Sequence, residues 1–129
     1  MRKLRNSALV SQALWELLCY DARLRVGGFA LVRRSLRQPA RRPQADGATG
    51  EAEVCRAIEW AVSLYWKPVQ CLQRSVVTVR ILRKRSLDAK VVVGCRPEPF
   101  FSHAWVEVGG RVVYGSPRFR AMLQPLMQL

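Results

Sequence analysis

The apolar residues of this chain change their spacing once, around Ser86 to Asp88, and that change limits the fold more than any other feature. Before it they recur every three or four residues, as in helices that bury one face. After it they run together or alternate, as strands do. Helices first and a small antiparallel sheet last make an α+β architecture. At 129 residues the chain suits a single domain that buries about two-thirds of the surface its unfolded form would expose.

The helical part divides at its breakers. Ala8, Leu9, Ala13, Leu14, Leu17, Leu18 and Ala22 form one amphipathic series, which Gly27-Gly28 interrupts before a short second helix from Phe29 to Leu36. Residues 1–37 are therefore a helical region. Residues 38–50, with Pro39, Pro43, Gly47 and Gly50, read as a loop or linker. The next helix is expected to start between Thr49 and Glu51 and to run through Val54, Ile58, Ala61, Val62 and Tyr65 until Pro68 stops it. Glu51 and Glu53 would then lie in its first turn, where the macrodipole favours them. A further helix spans Cys71 to Arg85, with Leu72, Val76, Val79 and Leu82 or Ile81 inward and Arg74, Arg80, Arg83, Lys84 and Arg85 on a solvated face. Strands follow at Val91–Val93, Ala104–Val108 and Arg111–Tyr114, the last two joined by a Gly109-Gly110 hairpin turn. The tail from Pro117 to Leu129 is only weakly amphipathic.

Charge narrows the partners. Twenty-two Lys and Arg stand against nine Asp and Glu, a net charge of +13 with a local run at Arg33, Arg34, Arg37, Arg41 and Arg42. Attraction to something acidic follows. No nucleic-acid reading motif accompanies the charge, so no nucleic acid is expected. Trp15 and the basic start leave membrane association open for the Ala8–Ala22 helix, though core packing is favoured. No stretch is long and apolar enough to cross a bilayer, no convincing secretory signal is present, and the cytoplasm is the expected compartment. Cys19, Cys55, Cys71 and Cys95 include no CxxC pair, and with a single histidine they offer no metal-site spacing, so neither metal nor cofactor is expected. Their apolar or helical surroundings suit reduced thiols better than two disulfides.

That single histidine is His103, at the start of a strand, and Cys71 opens a helix upstream of it. A helix N-terminus acidifies a thiol, and a neighbouring imidazole holds the thiolate and carries protons. A buried structural role is the ordinary reading for Cys19, Cys55 and Cys95, and a half-buried filler the ordinary reading for a histidine between Phe101 and Trp105. Trp105 and Glu107 share the face of His103 if the strand is regular.

Cys71-Leu72-Gln73-Arg74-Ser75, then Val91-Val92-Val93-Gly94-Cys95, then His103-Ala104-Trp105-Val106-Glu107-Val108 with its Gly-rich turn resemble the lasso peptide leader peptidases. These are transglutaminase-like cysteine proteases of ribosomal peptide biosynthesis. The resemblance covers about Trp66 to Ser116. It implies a papain- or transglutaminase-like catalytic core over 51–129, with Cys71 as nucleophile and His103 as general base and then acid. It also implies a precursor peptide whose leader is removed, a separate leader-binding recognition protein and a lasso cyclase as partners. The backbone N–H of Cys71 would line the oxyanion hole, with Gln70 or the Trp66 indole as second donor.

The chain departs from the pattern at Gly115, where the family places the aspartate that orients the imidazole. In a serine-protease triad, disabling that carboxylate costs about 10⁴ in rate. A thiolate–imidazolium pair depends on it less. The site works as a dyad, or borrows Ser116, Glu107, Glu98 or Asp88, or is impaired. The rival reading is a non-catalytic scaffold of the same fold that binds peptide, partner protein or nucleic acid through its basic surface.

Overall fold

The computed structural model describes residues 2–36, 47–85, 87–96, 101–109, 111–114 and 123–129. Three helices, α1 (Arg2–Ser35), α2 (Gly47–Leu64) and α3 (Cys71–Lys84), precede four strands, β1 (Ala89–Arg96), β2 (Phe101–Val108), β3 (Arg111–Tyr114) and β4 (Gln124–Gln128). All strand pairs are antiparallel and the order is β3-β2-β1-β4. The α+β expectation holds.

Helix α3 is the centre. It packs against α1, α2, β1 and β2, and buries Val76, Val77, Val79, Ile81 and Leu82. Ser75-Val76-Val77-Thr78-Val79 is β-branched enough to favour a strand on propensity alone. Burial on several sides overrides that preference, as tertiary context commonly does. Thr78 supports the turn by donating from Oγ1 to the Arg74 carbonyl at 2.7 Å.

In α1 the inward residues are Leu9, Ala13, Leu17 and Tyr20. Leu18, Ala8 and Ala22 are exposed, unlike their expected core placement, and Trp15 is exposed as well. Gly28 takes φ 65° and ψ −164°, so two helices meet there at a kink, at the expected breaker. Helix α2 starts at Gly47, earlier than expected, which moves Glu51 and Glu53 out of the first turn. They serve ion pairs instead, Glu51 with Arg111 at 3.1 Å and Glu53 with Arg85 at 3.8 Å.

The outer face assigned to α3 needs the largest correction. Arg80 donates to Glu16 at 2.7 Å and to the Ser35 carbonyl at 2.9 Å, while Lys84 pairs with the other Glu16 oxygen at 2.8 Å. Arg83 donates to the carbonyls of Ala89 (2.9 Å), Leu129 (3.2 Å) and Leu36, tying three chain segments together. A helix surrounded by neighbours has little solvated face to offer. Arg80 and Arg83 instead satisfy buried or half-buried acceptors, while Lys84 and Arg85 stay exposed as expected.

The sheet's two faces differ. Ala89, Val91, Ala104, Val106 and Val108 join the main core under the helices, whereas Val92, Trp105 and Leu123 form a second cluster on the other side. Gly94 makes room for the Trp105 ring, since a Cβ there would lie 2.7 Å from it. The hairpin turn has Gly109 at φ 56°. Strand β4, unassigned in the sequence, pairs with β1 across a register shift between Val93 and Gly94. Pro125 is tolerated because β4 is an edge strand.

Candidate active site

Cys71 is the first residue of α3. The chain enters extended through Gln70 (φ −80°, ψ 162°), whose carbonyl accepts the Arg74 N–H at 2.9 Å and so starts the helix. The Gln70 side chain makes no cap hydrogen bond and is exposed. The first N–H groups of a helix have no intrahelical partner, and they carry its positive pole. Sulfur and N–H donors are therefore presented together.

On one side of this helix start lies α1. Tyr20 is buried, and its hydroxyl pKa is raised by burial, then by the charges of Asp21 and of Cys71. Arg74 lies one turn into α3 and pairs with Glu59 of α2 at 3.9 Å. His103 is the third residue of β2, opposite Gly94 of β1. Burial, followed by the charge of Arg74, lowers the imidazole pKa. The first turn of α3 and His103 are thus within electrostatic reach, and the imidazole is biased towards its neutral form. Phe101 stacks on His103 with ring centroids 6.3 Å apart and planes 13° from parallel.

Alternation puts His103 on the sheet face of Trp105, while α3 packs on the face of Ala104, Val106 and Val108. Glu107 shares the His103 face as expected, but its carboxylate accepts the Trp105 indole N–H at 2.8 Å. At about 3.3 Å per residue, Glu107 begins about 13 Å from His103 along the strand. The structure does not bring Glu107 to the imidazole. Gly115, Ser116 and Glu98 lie outside the described residues. Asp88 is exposed just before β1 and acts on Arg83, not on His103.

All four cysteines are free. Cys55 is set apart by its surroundings: burial, then Glu51 and Glu59, push its pKa up to about 11, and its thiol faces the Val113 carbonyl at 3.9 Å. No group of three or more His, Cys, Asp or Glu side chains among the described residues could hold a metal ion. No helix among them is long and apolar enough to cross a membrane.

Sequence reasoning missed a polar cluster beside Cys71. Asp21 of α1 accepts a hydrogen bond from the Tyr65 hydroxyl and pairs with Lys67 at 2.8 Å. The Gln73 amide donates to the Leu17 carbonyl at 3.2 Å, one turn before Asp21 in α1. Burial would raise the Asp21 pKa, but these donors and the Lys67 charge together lower it. Burial, then Asp21, pushes Tyr65 up to about 12. Members so far apart in sequence leave only a faint signal, the polar Asp21 closing the apolar series of α1.

A description of the transglutaminase-like superfamily matches residues 14–128, nearly the whole chain and both candidate residues. The chain belongs to the transglutaminase-like superfamily. The microcin J25-processing protein McjB of Escherichia coli is 44% identical over 59 residues, which are 46% of this chain and 28% of that protein. The likeness thus spans less than a third of the relative's length. No solved structure matches the chain. Membership in the transglutaminase-like superfamily agrees with the order of elements found here, a helix that opens on cysteine followed by a strand that carries histidine.

Proposed function

We propose that this chain is a cysteine peptidase that removes the leader from a ribosomally made lasso precursor peptide. The observation that carries the reading is Cys71 as the first residue of the central helix in a transglutaminase-like chain. The leader-peptidase motifs from Cys71 to Val108 and the likeness to a microcin-processing protein supply the substrate class. The Cys71 sulfur attacks the carbonyl carbon at the leader's last residue, its proton passing to His103. The oxyanion accepts hydrogen bonds from the Cys71 N–H and the Gln70 amide. His103 gives its proton to the leaving amine, which departs with the core peptide, and then activates the water that hydrolyses the thioester. A lowered imidazole pKa suits the base role. Ser116 is the candidate for orienting the ring where Gly115 stands. A separate leader-binding protein presents the precursor, a lasso cyclase uses the freed amine, and the chemistry needs no cofactor.

A scaffold reading draws support from Gly115 and from the sheet face that His103 shares with Trp105. Mass spectrometry of precursor cleavage, with the leader-binding protein present, separates the two. Cys71→Ala should abolish cleavage and Gly115→Asp should accelerate it. Cleavage by Cys71→Ala at the native rate refutes the peptidase, and no cleavage by any of the three proteins favours the scaffold.

A further inference from the structure

Three chain segments are tied together beside the proposed nucleophile. Asp21 of α1 holds Tyr65 and Lys67 of the bend after α2, and the Leu17 carbonyl, one turn earlier in α1, accepts from Gln73 in the first turn of α3, two residues beyond Cys71. The three residues from Pro68 to Gln70 are all that joins this bend to Cys71. Residues 68–70 have no helix or strand of their own to hold them. Whatever fixes Tyr65 and Lys67 on one side and Gln73 on the other fixes where α3 begins.

We infer that Asp21 is a positioning residue, which anchors Tyr65 and Lys67 to the stretch of α1 that also holds Gln73 through Leu17, and so sets the placement of Cys71 and its backbone N–H. The inference rests on Cys71 being the nucleophile. Asp21 acts at a distance from the substrate. Its effect should appear in the reaction step more than in binding, because small misplacements of a reacting group cost rate steeply. The buried pair Tyr20 and Leu17 shows that the anchor has a firm base: Gln73 bonds to the Leu17 carbonyl, and Tyr20, next to Asp21, lies close enough to respond to the Cys71 charge. Lys67 also lies 5.4 Å from the centre of the Trp66 ring, so the cation is held from two directions.

The test compares native protein with Asp21→Asn, Tyr65→Phe, Lys67→Met and the pairing-conserving Lys67→Arg. Precursor cleavage gives kcat and KM per folded molecule. Limited iodoacetamide treatment with peptide mapping gives the labelling of Cys71 relative to Cys95. Asp21→Asn should lower kcat about 10- to 100-fold with KM nearly unchanged, and Tyr65→Phe and Lys67→Met about 3- to 10-fold. Lys67→Arg should stay near native, and the Cys71-to-Cys95 labelling ratio should fall in step with kcat. A folded Asp21→Asn with native kcat, or with a change in KM alone, overturns the inference. If Asp21→Asn does not fold, native kcat in both Tyr65→Phe and Lys67→Met overturns it equally. If native protein cleaves no precursor, the peptidase reading has failed, and an unchanged labelling ratio in the variants then overturns the anchor separately.

Discussion

The two ends of α3 use the same residue types for different ends. At its C-terminal half, Arg80, Arg83 and Lys84 meet Glu16 and four backbone carbonyls, and each of these cations has a structural acceptor. At its N-terminal end, Cys71 opens the helix with Tyr20 of α1 within reach of its charge and Arg74 one turn on, while His103 lies on the sheet face away from α3. One end ties segments together through its cations; the other sets a thiol at the start of the helix. A basic composition therefore does not locate the function of this chain. Arg80, Arg83 and Lys84 hold acceptors at one pole of α3, and the proposed nucleophile lies at the other.

The contrast can be broken first at Glu16, which is nearly inaccessible between two cations. Glu16→Gln leaves Arg80 and Lys84 facing a neutral amide, and removing one partner of a buried pair costs about 3 kcal/mol, less any relief from the exposed Lys84. Thermal unfolding should show a Tm lower by roughly 10 °C. A fall of only a degree or two would mean that the C-terminal end holds little together.

Gly94 sharpens the comparison from the sheet side. Gly94→Ala places a methyl 2.7 Å from the Trp105 ring and 2.9 Å from Leu123 Cβ. Overpacking of this kind costs about 2 kcal/mol, and denaturant unfolding should register it. His103 lies directly opposite Gly94 in register, so a shifted imidazole pKa, read by NMR titration, should accompany the loss.

The pH dependence is the gentlest probe. Glu16 and Asp21 have lowered pKa values in the fold. Burial of Glu16 opposes this, but the hydrogen bonds and charges of Arg80 and Lys84 outweigh it. Their stability contribution is therefore complete above the ordinary carboxylate range and is lost as pH falls through their lowered native values. His103 is also lowered, by burial and Arg74, so the unfolded chain binds its proton more readily. Stability should decline as pH falls below the usual histidine value of about 6.5, and His103→Gln should remove that part of the slope. An unchanged slope in the variant would contradict the burial of the ring.

Much of the fold was legible because the apolar period carries it: α3 begins at Cys71, the kink falls at Gly28 and the hairpin turns at Gly109 as spacing and breakers predict. Strand β4 was not, because an edge strand needs only one partner and Pro125 weakens its pattern. The helix start at Cys71 and the strand that carries His103, the chain's one histidine, were legible too, whereas the sheet face that His103 takes follows from alternation in β2. The Asp21 cluster was not legible, because hydrogen bonds between residues dozens of positions apart leave no periodic trace. The Arg80 and Arg83 contacts escaped for a related reason: amphipathic spacing assumes one buried face, and α3 is covered on several.

The most direct measurement takes Cys71→Ala and Glu16→Gln together through precursor cleavage and thermal unfolding. The account expects Cys71→Ala to lose at least about 10³ in rate while keeping the native Tm. It expects Glu16→Gln to lose Tm while its folded fraction cleaves at the native rate. Cleavage surviving in Cys71→Ala, or rate lost in Glu16→Gln without loss of Tm, would contradict the division of α3 into a reactive end and a binding end.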